Sequence, residues 1–151
     1  MFATNELVLA TRPGNPEGIR SLGDLGEVGV VALCAEVAPC GRYAQELLGS
    51  AGVRLDESRV TRGQNATATL TALTEGDADA AILYRSDAVR AGDRLELVTI
   101  PEGLGPLARY PAAVLRDGDG SAADGAARDF LTHRRSGRSA RVLAEAGFGT
   151  P

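Results

Sequence analysis

Two predicted helix starts and one tyrosine are the groups in this sequence that could hold a ligand. The first start lies in residues 38–44 (APCGRYA) and the second in residues 64–67 (QNAT), and Tyr84 ends the next predicted strand. The first turn of a helix leaves backbone N–H groups unpaired and carries partial positive charge. Two such starts can bind an oxyanion without a charged side chain. On these features alone, ordinary connections of an α/β protein are the simpler interpretation.

Two residues of the first segment add detail to this hypothesis. Pro39 fixes its own φ and has no N–H to donate. Gly41 has no side chain, which would let a ligand approach the main chain closely.

No other group of residues supports catalysis, metal binding or nucleotide binding. Asp79 and Asp87 flank the strand that ends at Tyr84, but such carboxylates usually cap helices or face solvent. The sole histidine, His133, has no serine partner, and no P-loop or dinucleotide-binding motif is present. A net charge of −4 argues against a nucleic-acid partner, which would require clustered basic residues. The sequence therefore predicts a protein that is not an enzyme.

The two cysteines, Cys34 and Cys40, leave two interpretations open. They are too few for a zinc site. A disulfide is compatible with their spacing, but nothing in the sequence fixes the Cα distance that it requires. Two buried free thiols are the favoured interpretation.

Apolar runs alternate with helical patterns along most of the chain. Continuous apolar segments predict buried strands over residues 7–10, 28–33, 80–84, 95–100 and 110–115. Helices are predicted near residues 41–48, 66–75, 124–133 and 136–146, with Asn65 as an N-cap, Gly76 as a C-cap and a turn at residues 117–121. This alternation predicts an α/β fold with a mixed, mainly parallel sheet flanked by helices.

Seven short segments, in the same order, resemble the periplasmic molybdate-binding proteins of ABC importers, which are type II periplasmic binding proteins. These segments are FATN (2–5), RPGNP (12–16), SLGDL (21–25), GRYA (41–44), EGDADA (75–80), LYRSDA (83–88) and YPAAV (110–114). The resemblance implies a fold of two α/β lobes with the ligand in the cleft between them.

The resemblance also implies which residues hold the ligand. By position, Cys40 and Ala66 would each give a backbone N–H, and Tyr84 would give its hydroxyl. The ligand would be a tetrahedral oxyanion, molybdate or tungstate, with no metal ion and no cofactor. The sequence does not choose between these two anions, nor does it exclude sulfate. The protein would deliver the anion to the membrane subunits of an ABC importer.

The resemblance divides the chain into three parts. Residues 1–10 would be the crossing strand of a first lobe, residues 11–107 a complete second lobe, and residues 108–151 the return strand and last helices of the first lobe. The beginning of the first lobe, with two Ser or Thr ligands, would be missing. We expect exposed apolar surface on the tail, which would favour a homodimer or poor order there.

The resemblance also implies a cellular location, and two alternative functions stay open. The full-length protein would be periplasmic or on the cell surface, although this chain shows no signal peptide and no apolar run long enough to span a membrane. One alternative is a cytoplasmic effector-sensing domain of the LysR type. Another is a truncated remnant that does not bind a ligand.

Overall fold

The computed structural model describes residues 1–115, 122–134 and 136–150. Six strands are present among these residues: β1 (Ala3–Thr11), β2 (Val31–Cys34), β3 (Val60–Gly63), β4 (Ala80–Tyr84), β5 (Glu96–Val98) and β6 (Leu107–Tyr110). Five α-helices accompany them: α1 (Pro39–Ser50), α2 (Ala66–Thr74), α3 (Arg85–Ala91), α4 (Ala122–Arg134) and α5 (Gly137–Glu145). The predicted turn at residues 117–121 lies outside the described residues.

The strands form one mixed sheet in the order β3-β2-β4-β1-β5, and β6 pairs with the first half of β1. Strand β2 is parallel to both β3 and β4. Strand β1 is antiparallel to β4 and β5. The fold class predicted from sequence is confirmed.

A hydrophobic core covers each face of the sheet, because side chains of successive strand residues point to opposite faces. Leu7 and Leu9 of β1 pack in the core beneath α1, and Val8 and Ala10 pack in the core beneath α2 and α3. Burial on both faces explains why these strands are continuous apolar runs in the sequence.

The predicted helices near residues 41–48 and 66–75 are confirmed, and so is the sheet that joins β2, β4 and β5. Asn65 caps α2 as predicted, because its side-chain oxygen accepts a hydrogen bond from the Ala68 N–H at 3.0 Å. Gly76 has a φ of 89°, the conformation expected just beyond the end of a helix.

The prediction of a strand at residues 110–115 is wrong. Strand β6 covers Leu107–Tyr110, and residues 111–115 have no regular structure. Pairing between β6 and β1 ends at Tyr110 opposite Ala3. The Phe2 N–H also donates to the Tyr110 carbonyl at 3.0 Å, so the strand extends only as far as its partner, and Pro111 lies just beyond the ladder, where proline is tolerated.

None of the helices in the described residues has both the length and the apolar character required to cross a lipid bilayer.

A polar cluster at the amino ends of β2 and β4 leads to a first prediction. The Asp79 carboxylate accepts hydrogen bonds from the Val30 N–H at 2.8 Å and from the Arg12 guanidinium at 2.6 Å. Truncation of Asp79 would leave both donors without this partner, and unpaired polar groups cost free energy when they are largely buried. We expect Asp79→Ala to lower the free energy of unfolding by about 2 kcal/mol, measured by urea denaturation.

Asp77→Ala is the matched control. Asp77 precedes Asp79 by two residues and is exposed, and its carboxylate makes no hydrogen bond or ion pair among the described residues. It should change the free energy of unfolding by less than about 0.5 kcal/mol. Equal losses in the two variants would contradict the role assigned to Asp79.

Candidate functional site

The three residues predicted to hold a ligand lie on three neighbouring connections at one edge of the sheet. Strands β3, β2 and β4 are adjacent and parallel, so their carboxyl ends share that edge. Cys40 lies in the first turn of α1, which follows β2, and Ala66 is the first residue of α2, which follows β3. Tyr84 is the last residue of β4. In open α/β sheets, this edge is where ligands usually bind.

The start of α1 presents one unpaired backbone donor. The N–H groups of Gly41 and Arg42 both donate to the Ala38 carbonyl, at 3.0 and 3.2 Å. Pro39 has no N–H, and the Cys40 N–H has no acceptor among the described residues. Ala38 also has no side chain that could cap the helix. The amide of Cys40 is therefore unpaired among the described residues.

The start of α2 presents two such donors. The Asn65 side chain accepts from Ala68, and the Asn65 carbonyl accepts from the Thr69 N–H at 3.1 Å. Within the part of the chain that the structure describes, the N–H groups of Ala66 and Thr67 have no acceptor. The N-cap thus leaves the first two amides of the helix free.

Tyr84 contributes a hydroxyl that stays protonated over a wide pH range. Burial raises the pKa of the Tyr84 phenol to about 12, and the Tyr110, Tyr43 and Asp87 side chains add to the rise because each would bring negative charge near a phenolate. The hydroxyl makes no hydrogen bond to the described residues. It is a neutral donor at any physiological pH.

This pKa shift predicts a change of stability in alkaline solution. The ordinary pKa is 10.0, so the unfolded chain releases the proton near pH 10 while the folded chain holds it to about 12. The stabilisation is complete below pH 10 and is lost as the pH rises through 12. We expect Tyr84→Phe to lose less stability than the unaltered chain between these two pH values, measured by urea unfolding. Parallel pH profiles of the two proteins would contradict this assignment.

The role predicted for Gly41 is corrected by the structure. A side chain at this position would collide with the carbonyl oxygen of Ala35 and lie too close to the carbonyl of Cys34. Glycine is therefore required because the first turn of α1 packs on the main chain that leaves β2. The approach of a ligand does not explain it.

The favoured interpretation of the cysteines is also wrong. Cys34 and Cys40 form a disulfide, with a Cα–Cα distance of 5.7 Å. The chain between them reverses in a turn in which the Ala38 N–H donates to the Ala35 carbonyl at 2.9 Å. That turn brings the first turn of α1 back to the end of β2, and no local sequence signal showed it.

Sequence reasoning missed two further residues at this edge, Arg62 and Thr69. The Arg62 guanidinium contacts the Cys34 carbonyl at 3.2 Å and the carboxylates of Glu57 and Glu36 at 2.7 and 3.3 Å. The cation is thus paired with two anions, and the three side chains together carry a net negative charge. Thr69 is fully buried in α2, with its hydroxyl near the Cys34 sulfur. Neither residue belongs to a recognisable motif.

Two cavities are lined by residues other than the three predicted ones. One, of about 570 Å³, lies between β1 and the segment from Leu97 to Leu107, and the other, of about 350 Å³, lies between Phe2 and α4. Neither is lined by Cys40, Ala66 or Tyr84. In the described residues, the candidate donors therefore lie outside both of these cavities.

The chain thus folds as one mixed sheet with helices on both faces and two helix starts at the carboxyl edge of its parallel strands. Residues 1–149 match the family model of bacterial extracellular solute-binding proteins. The chain belongs to that family, which confirms the class indicated by the resemblance.

The curated relatives include the molybdate-binding protein ModA of Mycobacterium bovis and of Mycobacterium tuberculosis. Each is 32% identical over 151 residues, which cover 99% of this chain and 56% of the relative. The chain thus spans a little over half the length of these relatives.

Solved structures share the fold at lower identity. A substrate-binding domain from Clostridium difficile superposes with a TM-score of 0.79 at 23% identity, covering 99% of this chain and 65% of that one. The periplasmic molybdate-binding protein of Azotobacter vinelandii superposes with a TM-score of 0.69 at 18% identity, covering 99% and 67%. At these identities the likeness establishes the fold alone.

Proposed function

We propose that this chain forms one wall of an extracytoplasmic binding site for a tetrahedral oxyanion, with molybdate as the first candidate. The observation that carries the proposal is the set of unpaired donors on adjacent connections: the amides of Cys40 and Ala66 and the hydroxyl of Tyr84. Such a protein would bind the anion and pass it to the membrane subunits of an ABC importer. It would make and break no covalent bond.

Neutral donors suit an anion that must be released again. Backbone amides at a helix start point at the ligand, and the helix dipole favours its negative charge. The Arg62 cation is already paired with Glu36 and Glu57, so the anion would meet dipoles rather than a free counter-charge. Tyr84 is a neutral donor over the whole physiological range, since the ordinary phenol pKa of 10.0 already lies above that range and burial raises the pKa further, to about 12.

The choice of molybdate rests on the relatives, whose names state that they bind molybdate. Tungstate has the same shape and charge, and sulfate is a smaller dianion of the same geometry. Titration of the isotopically labelled 151-residue chain, followed by NMR, can separate these anions. We expect the amide signals of Cys40, Ala66 and Thr67 to shift with sodium molybdate and with tungstate, and less with sulfate. Sodium chloride at equal ionic strength is the control, and an absence of shifts at these amides would overturn the proposal.

Removal of the Tyr84 hydroxyl gives a second test of the site. We expect Tyr84→Phe to weaken molybdate binding by roughly 1–3 kcal/mol, because one anion oxygen would lose a hydrogen bond in the bound state. Tyr43→Phe is the matched control, because Tyr43 packs against the core in the first turns of α1 and has no assigned contact with the anion. Equal weakening in both variants would contradict a specific role of Tyr84.

The division into lobes is part of the proposal. Residues 11–107 would form one lobe, and residues 1–10 and 108–151 would belong to the other. The pairing of β1 supports a division into two units but favours a boundary between residues 6 and 7, because residues 3–6 pair with β6 whereas residues 7–11 pair with β4 and β5. Thr4 also exchanges hydrogen bonds with Gly149, so the start of β1 lies with the tail of the chain.

Location outside the cytoplasm is supported by the family and by the disulfide. The family model describes extracellular proteins. A disulfide such as Cys34–Cys40 persists in oxidising compartments and is rare in the cytosol. This bridge therefore opposes the cytoplasmic sensing domain that the sequence left as an alternative. Self-association through the tail stays a prediction, which light scattering can test.

A further inference from the structure

The Cys34–Cys40 disulfide joins an interior strand of the sheet to the first turn of α1. Cys34 is the last residue of β2, which lies between β3 and β4, and it is only 2% exposed. Cys40 is 6% exposed and carries the amide proposed to contact the anion. The bridge therefore ties this donor covalently to a strand that is fixed on both sides.

Thr69 extends the connection to the second helix start. Its hydroxyl lies 3.5 Å from the Cys34 sulfur and donates to the Asn65 carbonyl at 3.0 Å. Gly63 at the end of β3 packs so closely on this turn that a side chain there would collide with the Thr69 backbone N–H and hydroxyl. The Cys34 sulfur thus contacts both α1 and α2, the two helices whose first amides are unpaired among the described residues.

The two helix starts differ in what else fixes them. Asn65 caps α2 through its side chain, but Ala38 at the start of α1 provides no side-chain cap. A backbone donor cannot rotate toward its ligand as a side chain can, so its direction depends entirely on the placement of the helix. For α1, the disulfide is the connection that takes the place of a cap.

We propose that Cys34 and Thr69 are positioning residues for the anion site: the bridge and the Thr69 hydroxyl hold the amides of Cys40 and Ala66 in a fixed relative direction. The proposal rests on the proposed function, since it concerns the same donors. Donors held in the bound arrangement before the ligand arrives raise affinity, because less freedom is lost on binding. The bridge closes only a short loop of sequence separation 6, so its effect on the unfolded chain is at the low end for disulfides.

The test compares molybdate binding by variants of the 151-residue chain, followed by NMR titration with sodium molybdate. We expect the dissociation constant to rise about tenfold in the double variant Cys34→Ala with Cys40→Ala, and about threefold in Thr69→Val, as donors lose their fixed direction. Thr71→Val is the matched control. The Thr71 hydroxyl donates to the Thr67 carbonyl at 3.0 Å, as the Thr69 hydroxyl donates to the Asn65 carbonyl, but it does not contact the disulfide. It should leave the dissociation constant unchanged.

A second readout separates positioning from general loss of stability. Amide hydrogen exchange should become faster in the first turns of α1 and α2 of the bridge-less chain, while the Ile82 amide in β4 keeps its protection. Asp79→Ala lowers stability at the opposite edge of the sheet, and it should leave the affinity for molybdate unchanged. If Asp79→Ala weakens binding as much as loss of the bridge, the effect is one of stability and the proposal is wrong.

The outcomes distinguish this inference from the proposed function. If the unaltered chain shows no molybdate-dependent shifts at Cys40 and Ala66, the proposed function and the inference both fail. If the unaltered chain binds and the bridge-less chain binds equally well, the inference alone fails. Should the double variant not fold, the comparison of Thr69→Val with Thr71→Val decides, and equal affinities of these two variants overturn the proposal.

Discussion

Replacement of Gly41 by alanine is expected to lower the free energy of unfolding by about 3 kcal/mol, at the upper end of ordinary single substitutions. The added Cβ would collide with the Ala35 carbonyl oxygen and crowd the Cys34 carbonyl. Both are backbone groups, so relief requires movement of α1 or of the end of β2 rather than rotation of a side chain. Strand β2 is paired on both sides, with β3 and β4, and the bridge holds α1 to it, which leaves little room for such movement.

The control lies on the same helix. Gly49 is in the last turn of α1, and a Cβ there would meet no atom within 4 Å. Alanine is the better helix former, so Gly49→Ala should raise the free energy of unfolding by about 0.5–1 kcal/mol. Urea denaturation of the two variants checks both values. Equal effects at positions 41 and 49 would show that the contact with Ala35 is not what requires glycine.

Local signals predicted much of the fold. Asn65 caps α2 because its short side chain can reach an amide three residues on, a relation contained within one turn. The apolar runs of β2 and β4 predicted burial on both faces, and the cores on either side of the sheet account for it. Each of these features depends on neighbours in the sequence, which is why the sequence alone was sufficient.

Features that depend on distances in the folded chain were missed or misjudged. The strand expected at residues 110–115 follows an apolar run, but its position depends on a partner, and β1 pairs only as far as Tyr110. The disulfide depends on how sharply the chain turns after β2. The need for glycine at position 41 arises from the same close approach of α1 to that turn. No pattern of residue types contains these distances.

The same contrast between sequence signals and features of the folded chain applies to the candidate site. The family resemblance identified Cys40, Ala66 and Tyr84. Composition alone does not identify them, because helix starts of this kind are common. The structure shows the state of the donors: which amides are already paired, and which cation already has carboxylate partners. Those facts depend on hydrogen bonds to Ala38, Asn65 and the two glutamates, and only a folded chain makes them.

Enclosure of the anion is expected to have the largest effect on affinity. The chain alone supplies donors from one side, so the opposite oxygens of a bound anion would stay in water. We expect the 151-residue chain to bind molybdate too weakly for titration calorimetry to detect, although the amide shifts of an NMR titration at high molybdate concentration still report this weak binding. A chain extended by the part of the Mycobacterium tuberculosis relative that this sequence does not match should bind at least about a hundredfold more tightly, a gain of about 2.8 kcal/mol.

The extended chain also allows the contribution of this wall to be measured in an enclosed site. Tyr84→Phe in the extended chain should again weaken binding by roughly 1–3 kcal/mol, because electrostatic contacts strengthen when water is excluded. Tight binding by the 151-residue chain alone would show that one wall is sufficient and that the lobe division is wrong. An extended chain that folds and yet binds no more tightly than this one would show that the second wall does not face Cys40, Ala66 and Tyr84. Only a gain on extension, reduced by loss of the Tyr84 hydroxyl, supports an anion held between two lobes by neutral donors.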